Sequence, residues 1–288
     1  MPELANLNGT FCPIGEAKVS IEDRGFQFAD GVYEVIVFHG DRPVMLDAHL
    51  RRLANSCRVI DLKIDFERLD LPGIVREGVR RAGFADTMVY LQLTRGQAPR
   101  NHAHPNEYEP TVVLTFKPKP VVSAEKRAAG LSLMTLPDFR WSRCDVKSIA
   151  LLPNIMAKNE ALAKGYDDAV FIGPEGDVRE TSAANLFIIK SGHLLTRPED
   201  RTILPGITRK LIFSCAAQME LPTREARILK DQLLSADEVF VCSSAIEVVP
   251  VVRVDDQPIG DGRPGPLTAR LYDHIRKELG IGDPSQRD

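Results

Sequence analysis

Apolar residues in the N-terminal part of the chain recur with two spacings, and each spacing predicts a different element. Runs rich in β-branched and aromatic residues predict strands, whereas apolar positions three and four apart predict helices. The predicted strands are residues 18–21, 31–38, 88–94 and 111–116. The predicted helices are residues 48–59, with Asp47 as the N-cap, and 71–81.

Beyond residue 118 the same patterns predict strands and helices in rough alternation. The predicted strands are residues 131–136, 169–172, 186–189, 239–242 and 248–254. The predicted helices are residues 155–163, which Gly165 follows as a stop, 208–219 and 267–279. Lys117-Pro-Lys-Pro is a stiff polar segment and the best domain boundary. We therefore predict two domains that mix helices and strands, over residues 1–118 and 119–288.

Length, composition and charge narrow the class of protein. A chain of 288 residues is long enough for two domains with separate cores. The content of 43% hydrophobic and 27% charged residues excludes disordered and collagen-like classes. The net charge of -3 argues against nucleic acid as the main partner, because binding a polyanion needs excess positive charge.

The sequence shows no pattern typical of a targeting signal and no closely spaced cysteine pair. The first residues show no basic segment followed by an apolar run, and no uncharged stretch approaches the ~20 residues that span a bilayer. We therefore expect a cytoplasmic protein with no membrane partner. The five cysteines are far apart and form no C-x-x-C pair, which indicates neither a disulfide framework nor a zinc site.

Two short motifs match binding patterns without the context that those patterns need. Gly260-Asp-Gly-Arg-Pro-Gly265 fits the G-x-G-x-x-G string, but it contains a proline and lies near the end of the chain, so a turn is favoured over a nucleotide site. His102-Ala-His104 offers two imidazoles without an identifiable third ligand. We therefore expect no metal.

Lys147 is the most pointed candidate for chemistry. It leads directly into the apolar run Ile-Ala-Leu-Leu, where desolvation would favour a neutral, nucleophilic amine. A lysine at a strand end with its amine in solvent explains the same pattern, and the segment alone favours that interpretation.

Two other segments combine polar groups with apolar surroundings. Glu180 begins a strand that turns apolar, so its carboxylate either holds a proton on a ring nitrogen or simply ends a hairpin. Gly206 precedes a helix whose first turn offers N–H groups and the Thr208 hydroxyl. Such a turn suits a phosphate group, and ordinary capping explains it equally well.

Seven segments carry a resemblance to one known family. They are Asp23-Arg-Gly-Phe-Gln-Phe-Ala-Asp-Gly-Val-Tyr33-Glu, His49-Leu-Arg-Arg52-Leu, Thr94-Arg-Gly-Gln-Ala-Pro-Arg100-Asn-His102, Arg140-Trp-Ser-Arg143-Cys-Asp-Val-Lys147-Ser, Glu180-Thr-Ser-Ala-Ala-Asn185, Leu204-Pro-Gly206-Ile207-Thr208-Arg209 and Ser243-Ser244-Ala245. In this order they resemble the class IV (fold-type IV) pyridoxal-phosphate aminotransferases, most closely those acting on D-amino acids. The resemblance implies a two-domain α/β (α+β) fold with the cofactor at the domain interface and the larger C-terminal domain as the cofactor-binding one.

The resemblance implies pyridoxal 5′-phosphate as the cofactor and a role for several residues. Lys147 falls on the lysine that binds the cofactor aldehyde and then moves a proton at the substrate Cα. Glu180 falls on the carboxylate that keeps the pyridine nitrogen protonated, and Arg52 on the arginine that binds the phosphate. The further cofactor-binding positions are Leu204, Ile207, Thr208, Ser243 and Ser244.

Tyr33, Arg100 and His102 match the family's site for the substrate α-carboxylate. The Arg-x-His spacing puts two donors on one side of an extended segment, and two donors fix which face of the Cα meets the lysine. This feature favours D-amino acids. In the family the loop reaches into the neighbouring subunit's site, so the resemblance implies a homodimer in which Arg100 and His102 act there.

Two departures from the expected pattern stay open. Arg179 precedes Glu180, and strand alternation favours a solvated side chain over an extra site for a second substrate carboxylate. Ala183, Ala184 and Ala245 stand where relatives carry hydroxyl residues, which thins the hydrogen-bond network around the cofactor.

We therefore expect a transaminase that moves the amino group of a D-amino acid to a 2-oxo acid, such as pyruvate or 2-oxoglutarate, by a ping-pong mechanism. The alternatives within the fold are a branched-chain L-amino-acid transaminase, an (R)-amine transaminase and 4-amino-4-deoxychorismate lyase. A non-catalytic vitamin-B6 binding protein is the alternative from another class.

Overall fold

The computed structural model describes residues 3–282, which form two compact units. The first unit comprises the described residues up to Pro120 together with Val146–Leu151. The second comprises Val121–Asp145 and the described residues from Leu152 onward. Lys147 therefore belongs to the first unit, although the chain on either side of its short segment belongs to the second.

A six-stranded antiparallel sheet forms the centre of the first unit, in the order β2-β1-β6-β5-β3-β4. Its strands are β1 (Leu4–Leu7), β2 (Thr10–Pro13), β3 (Gly31–His39), β4 (Arg42–Pro43), β5 (Asp86–Thr94) and β6 (Thr111–Pro118). Its helices are α1 (Arg24–Phe28), α2 (Leu46–Val59), α3 (Phe66–Leu69) and α4 (Leu71–Ala82), and a 3-10 turn covers Ile14–Glu16.

Helices α2 and α4 bury one face of this sheet. Val32 and Ile36 of β3 alternate into the core, where Leu53 of α2 packs in the same cluster. Gly78 of α4 lies against Phe116 of β6, and a Cβ at this position would come within 2.0 Å of the ring. The glycine therefore allows the helix to pack closely on the sheet.

A nine-stranded sheet forms the centre of the second unit, in the order β12-β11-β10-β13-β14-β7-β8-β9, with β15 paired to β14. Its strands are β7 (Leu131–Pro137), β8 (Asp168–Ile172), β9 (Val178–Thr181), β10 (Asn185–Lys190), β11 (His193–Thr196), β12 (Thr223–Glu225), β13 (Glu238–Ser243), β14 (Glu247–Val254) and β15 (Gln257–Pro258). Its helices are α5 (Ala124–Ala129), α6 (Leu152–Ala163), α7 (Ile207–Gln218), α8 (Lys230–Leu234) and α9 (Pro266–Glu278).

Both faces of the central strands are buried, which explains their continuous apolar sequences. One face of β10 and β13 packs under α7 and α9, with the rings of Phe187 and Phe240 stacked at 5.1 Å between centroids. The other face contributes Leu186 and Val239 to a second cluster. These two strands therefore form the rigid centre of the unit.

One predicted strand and one predicted N-cap are wrong. Residues 18–21 form no strand: Val19 and Ile21 are 45% and 73% exposed, and no neighbouring strand pairs with them. Helix α2 begins at Leu46 with Met45 as its N-cap, and Asp47 lies in the first turn. A carboxylate is favourable both at the N-cap and in the first turn, because both lie at the positive end of the helix dipole. The sequence pattern therefore does not distinguish the two positions.

The other predicted strands and helices are confirmed, with shifts of a few residues at their ends. The mixed α/β class is confirmed as well. Among residues 3–282, no helix is long and apolar enough to cross a membrane.

Candidate active site

Lys147 is held at the edge of the first unit's sheet by its backbone. The Tyr33 N–H donates to the Lys147 carbonyl over 2.9 Å, and the Lys147 N–H donates to the Ser56 hydroxyl over 3.3 Å. Val146, which precedes it, is buried in the core. These contacts fix the main chain and leave the half-buried side chain as the part that can move.

The Lys147 amine faces an aromatic surface. Its Nζ lies 4.2 Å from the centroid of the Tyr33 ring, which stacks in turn on Tyr90. Burial, with a smaller contribution from Tyr33, raises the pKa of Tyr90 to about 12. Within the described part of the chain, no carboxylate forms an ion pair with this Nζ. The amine is therefore available to an incoming group.

Arg52, the predicted phosphate arginine, is bound to a buried carboxylate. Its Nε and one terminal nitrogen donate to the two oxygens of Glu34 over 2.7 and 2.8 Å. His49 Nδ1 lies 2.7 Å from the same carboxylate. This bidentate pairing fixes the plane of the Arg52 guanidinium.

Burial shifts the pKa values of Glu34 and His49 in opposite directions; for Glu34 the effect of Arg52 outweighs burial, and for His49 burial is the largest cause. Burial alone would raise the pKa of Glu34, but the hydrogen bonds from Arg52 and His49 and the positive charge of Arg52 lower it to about 2. Burial lowers the pKa of His49, and the positive charges of Arg52 and Lys147 act in the same direction. Glu34 is therefore ionised at neutral pH and His49 is neutral, donating its Nδ1–H to the carboxylate.

Arg100 and His102 meet on the ring of Phe28 at the end of α1. The Arg100 guanidinium lies 4.6 Å from the ring centroid, and the His102 ring is T-shaped to it at 5.6 Å. Within residues 3–282 of one chain, no hydrogen bond or ring contact joins these two residues to Tyr33. Within the described part of one chain, Tyr33 therefore makes no direct contact with Arg100 or His102.

Glu180 is buried in the second unit and held from three sides. Arg140 donates to one oxygen over 2.5 Å, while the Asn185 side chain and the Leu204 N–H each donate to the other over 3.1 Å. Asp138 binds the remaining edge of the Arg140 guanidinium. These contacts fix the carboxylate and stabilise its charge.

The start of α7 lies beside Asn185. The Asn185 amide donates to the Leu204 carbonyl over 3.0 Å, and a Cβ on Gly206 would lie 1.9 Å from the Asn185 Oδ1. Gly206 is the N-cap and provides no side-chain hydrogen bond. The first N–H groups of the helix, from Ile207 and Thr208, thus lack intrahelical acceptors and can bind an anion.

Ser243 and Ser244 stand at the end of the strand next to β10. Asn185 pairs with Cys242 across β10 and β13, Ser243 is the last residue of β13, and Ser244 follows in the turn. Both serines are half-buried. Their hydroxyls therefore extend the polar end of the strands that carries Asn185.

Arg179 makes ion pairs within the second unit. It donates to Asp138 over 2.7 Å and to Asp177 over 3.4 Å. The side chain is paired and only 17% exposed, so the interpretation as a solvated arginine is wrong, whereas the interpretation as a site for a second substrate carboxylate stays a prediction. Its charge is balanced by two carboxylates.

Residues 31–254 match the family model described as amino-transferase class IV. The chain belongs to this family. The resemblance that the motifs carry is thereby confirmed, and so is the fold.

Relatives of this class IV aminotransferase cover nearly its whole length. It is 40% identical over 266 residues to a D-alanine aminotransferase of Listeria monocytogenes, covering 92% of both chains. It is 38% identical to a D-alanine aminotransferase of Bacillus licheniformis, covering 95% of this chain and 96% of the relative. The crystal structure of a branched-chain aminotransferase from Thermoproteus uzoniensis with norvaline superposes with a TM-score of 0.86, at 28% identity, covering 97% of this chain and 96% of that one.

Sequence patterns gave no role to Glu34, Arg140 or Asn185 of the class IV aminotransferase. Glu34 carried a usable signal, because it is the one acid within the otherwise apolar strand pattern of residues 31–38. Arg140 and Asn185 lie in two of the segments that carry the family resemblance, but their partner Glu180 is distant from Arg140 in sequence. Only the folded chain shows that they contact the same carboxylate.

Proposed function

We propose that this class IV aminotransferase transfers the amino group of a D-amino acid to a 2-oxo acid, with pyridoxal 5′-phosphate as cofactor. The observation that carries the proposal is the Lys147 amine, which is half-buried against Tyr33 and has no carboxylate partner within the described chain. The D-alanine aminotransferases to which the chain is similar support the substrate class.

The side chains present fit the proposed cofactor. Lys147 would hold it through the amine, and Glu180 would bind the ring nitrogen. Arg52 and the uncapped start of α7 match a phosphate dianion, because they offer a guanidinium and free N–H groups. The additional donors or contacts we propose are Leu204, Ile207, Thr208, Ser243 and Ser244. When bound, pyridoxal phosphate supplies an aldehyde for the amine and a ring that accepts electrons from the substrate Cα.

Lys147 is the proposed acid and base of the reaction. Its neutral amine would take the proton from the substrate Cα and deliver it to the carbon of the cofactor aldehyde, two bonds away, which requires a flexible side chain on a fixed backbone. The backbone bonds to Tyr33 and Ser56 provide the fixed part. The Tyr33 ring, 4.2 Å from the Nζ, contacts the amine without forming an ion pair with it.

Glu180 has the proposed role of keeping the ring nitrogen protonated. A carboxylate does this only while it is ionised and correctly oriented. Arg140 contributes the positive charge, and Asn185 contributes a donor that fixes the second oxygen. The pair would thus maintain the electron-accepting state of the ring.

Tyr33, Arg100 and His102 have the proposed role of binding the substrate α-carboxylate. We propose a homodimer in which Arg100 and His102 of one subunit bind the substrate carboxylate in the neighbouring subunit's site. Tyr33 would bind the carboxylate in the site of its own subunit. The separate placement of the two groups within one chain supports this arrangement.

A branched-chain L-amino-acid transaminase is the second candidate, which the structural similarity to the Thermoproteus uzoniensis enzyme favours. The Arg-x-His pair and the higher identity to D-alanine aminotransferases favour the first. An (R)-amine transaminase, the chorismate-derived lyase and a vitamin-B6 binding protein have less support, since none of them needs this pair together with amine transfer.

Half-reactions of the holoprotein with single amino donors test the proposal. We expect D-alanine to abolish the visible absorption of the bound cofactor and to yield pyruvate in an amount equal to the protein. L-leucine and (R)-1-phenylethylamine are expected to act far more slowly. Rapid reaction with L-leucine and none with D-alanine would contradict the D-specific assignment. Loss of the visible absorption in Lys147→Ala, with no amino donor able to react in the parent, would instead support a binding protein.

The cytoplasm is the compartment that we propose. All five cysteines are free thiols, four of them buried, which suits a reducing environment.

A further inference from the structure

The loop between β5 and β6 carries Arg100 and His102 but has little structure of its own. Both side chains are exposed, and the only regular pairing in the loop is an isolated bridge between Gln97 and Asp23 within the described residues. Two donors on such a loop keep a fixed separation only if other residues hold them. The residues that hold them lie on and beside α1.

Arg24, the first residue of α1, binds the main chain of this loop. One terminal nitrogen donates to the Asn101 carbonyl over 2.6 Å and the other to the His102 carbonyl over 3.3 Å. Its Nε donates to Asp30 over 2.8 Å, and the residue is 4% exposed. A single fixed guanidinium therefore positions two consecutive carbonyl groups of the loop.

Phe28, the last residue of α1, binds the side chains of the same loop. Its ring is contacted by the guanidinium of Arg24 at 4.9 Å, by that of Arg100 at 4.6 Å and by the ring of His102 at 5.6 Å. One aromatic ring thus contacts both loop donors and the arginine that anchors the loop.

Stacking on a ring leaves the donors of Arg100 available. A guanidinium contacts an aromatic ring through its flat face, whereas it binds a carboxylate through N–H groups at its edge. Phe28 can therefore fix the orientation of Arg100 without competing for its hydrogen bonds. An acidic neighbour would fix the same side chain only by occupying the edge that the substrate needs.

The base of this arrangement is itself rigid. Asp30 accepts hydrogen bonds from Arg24 and from Arg95 over 2.8 and 2.9 Å. Arg95 is 2% exposed and donates to the carbonyls of Ile60 and Asp61 over 2.8 and 2.7 Å. The anchor of the loop is thus connected to the end of α2.

We propose that Phe28, held by Arg24, is the positioning residue that sets the geometry of Arg100 and His102 and thereby the affinity of the enzyme for the substrate carboxylate. This inference rests on the proposed role of Arg100 and His102. Fixing these two side chains before binding removes the entropy that the substrate would otherwise have to overcome. The ring should affect substrate binding more than the chemistry at Lys147.

The test compares steady-state kinetics of Phe28→Leu and the parent holoenzyme with D-alanine and 2-oxoglutarate. We expect KM for D-alanine to rise on the order of tenfold, because two side chains lose their fixed orientation. We expect kcat to change less than about twofold, because no group at the reacting carbon is altered. Phe28→Tyr keeps the ring and should restore KM to near the parent value.

Phe11→Leu is the matched control. Phe11 also lies under an arginine, with the Arg81 guanidinium 4.5 Å from its ring, but it belongs to edge strand β2. The same substitution there should lower stability without raising KM. A similar rise in KM for both variants would overturn the inference, and so would a fall in kcat at unchanged KM for Phe28→Leu.

Arg24→Lys covers the case in which Phe28→Leu does not fold. Lysine keeps the positive charge beside Asp30 but cannot bridge two carbonyls and stack on Phe28 at once. We expect the same rise in KM, and a KM within about twofold of the parent would contradict the inference. If the parent itself does not react with D-alanine, the proposed function fails. If the parent reacts and both variants keep its KM, only the positioning role fails.

Discussion

Glu34 shows how one buried side chain links stability to pH. Its carboxylate is fully buried and accepts hydrogen bonds from Arg52 and His49, which hold its pKa near 2 in the folded protein against 4.5 as the ordinary value. A lowered pKa means that the folded state binds the proton more weakly than the unfolded state. The stabilisation is therefore complete above the ordinary pKa and is lost as the pH falls towards 2.

We expect Glu34→Gln to lower the free energy of unfolding by on the order of 3 kcal/mol at pH 7. The difference from the parent should shrink below about pH 4.5 and vanish near pH 2. Urea unfolding of the holoproteins at pH 7, 5, 4 and 3 measures it.

Glu77→Gln is the control for this prediction. Its pKa is likewise lowered to about 2, by Arg80 and Arg81, but its side chain is 34% exposed on α4, where solvent screens the charges. We expect a much smaller change in stability. Equal effects of the two variants, or a Glu34→Gln effect that does not depend on pH, would contradict this account.

Arg140 illustrates the cost of leaving a buried charge without its partner. Burial alone would lower its pKa, but Asp138 and Glu180 raise it, so the side chain stays charged beneath two carboxylates. Arg140→Met removes the positive charge and leaves both carboxylates buried. We expect a loss of about 3–5 kcal/mol in the free energy of unfolding, measured by urea titration.

Arg143→Met is the comparison for Arg140. Arg143 makes a bidentate pair with Asp145, but their side chains are 32% and 24% exposed. We expect a much smaller loss of stability, because water screens this pair and hydrates the carboxylate that the substitution leaves behind. Equal losses in the free energy of unfolding for the two substitutions would show that burial does not determine how strongly these ion pairs stabilise the protein.

Helix α7 shows how an element depends on one small residue. Gly206 has a φ of -68°, which any residue can adopt, so backbone conformation does not require glycine. Space does require it, because a Cβ would lie 1.9 Å from the Asn185 Oδ1. The start of the helix, and with it the proposed phosphate site, is therefore set by contact with β10.

We expect Gly206→Ala to lower the free energy of unfolding by about 1–3 kcal/mol, because either the helix start or Asn185 has to shift. The same shift should weaken binding of pyridoxal phosphate, which quenching of protein fluorescence measures. Gly15→Ala serves as control, since a Cβ at Gly15 meets no atom within 4 Å. Unchanged cofactor affinity in Gly206→Ala would show that the start of α7 does not bind the phosphate.

Elements were predictable where local patterns and tertiary pairing agree. The apolar run of 31–38 forms the centre of a paired strand, β3, whereas 18–21 has similar alternation but no partner strand. A strand needs a neighbour for its backbone hydrogen bonds, and periodicity does not report whether one is present. The position of Asp47 at the start of α2 was ambiguous for a related reason, because the dipole favours an acid throughout the first turn.

At the scale of the whole molecule, the proposed homodimer predicts complementation between two inactive variants. Lys147→Ala lacks the proposed reactive amine, and Arg100→Ala lacks the proposed hydrogen-bond donor to the substrate carboxylate. In a mixed dimer, one site would combine an intact Lys147 with the partner's intact Arg100. Random mixing after dissociation and reassociation should therefore restore about a quarter of the parent activity.

The control for this mixing experiment uses two variants whose substituted residues are proposed to act in the site of the same subunit. Lys147→Ala mixed with Tyr33→Phe tests residues that contact each other in one chain. Here the Tyr33→Phe subunit supplies the only amine, so mixing should add nothing to that variant's own activity. No recovery with Lys147→Ala and Arg100→Ala, in a mixture shown to contain mixed dimers, would place Arg100 in its own subunit's site.

The sequence by itself determined the types of the main elements, the family and the residues for which roles are proposed. Hydrophobic periodicity and short motifs are local properties, so they survive without coordinates. Only the tertiary structure decided the partners: Glu34 for Arg52, Arg140 for Glu180, and Phe28 for Arg100 and His102 together. These contacts join residues up to 74 positions apart, as with Phe28 and His102, and burial and charge balance become defined only when the chain brings them together.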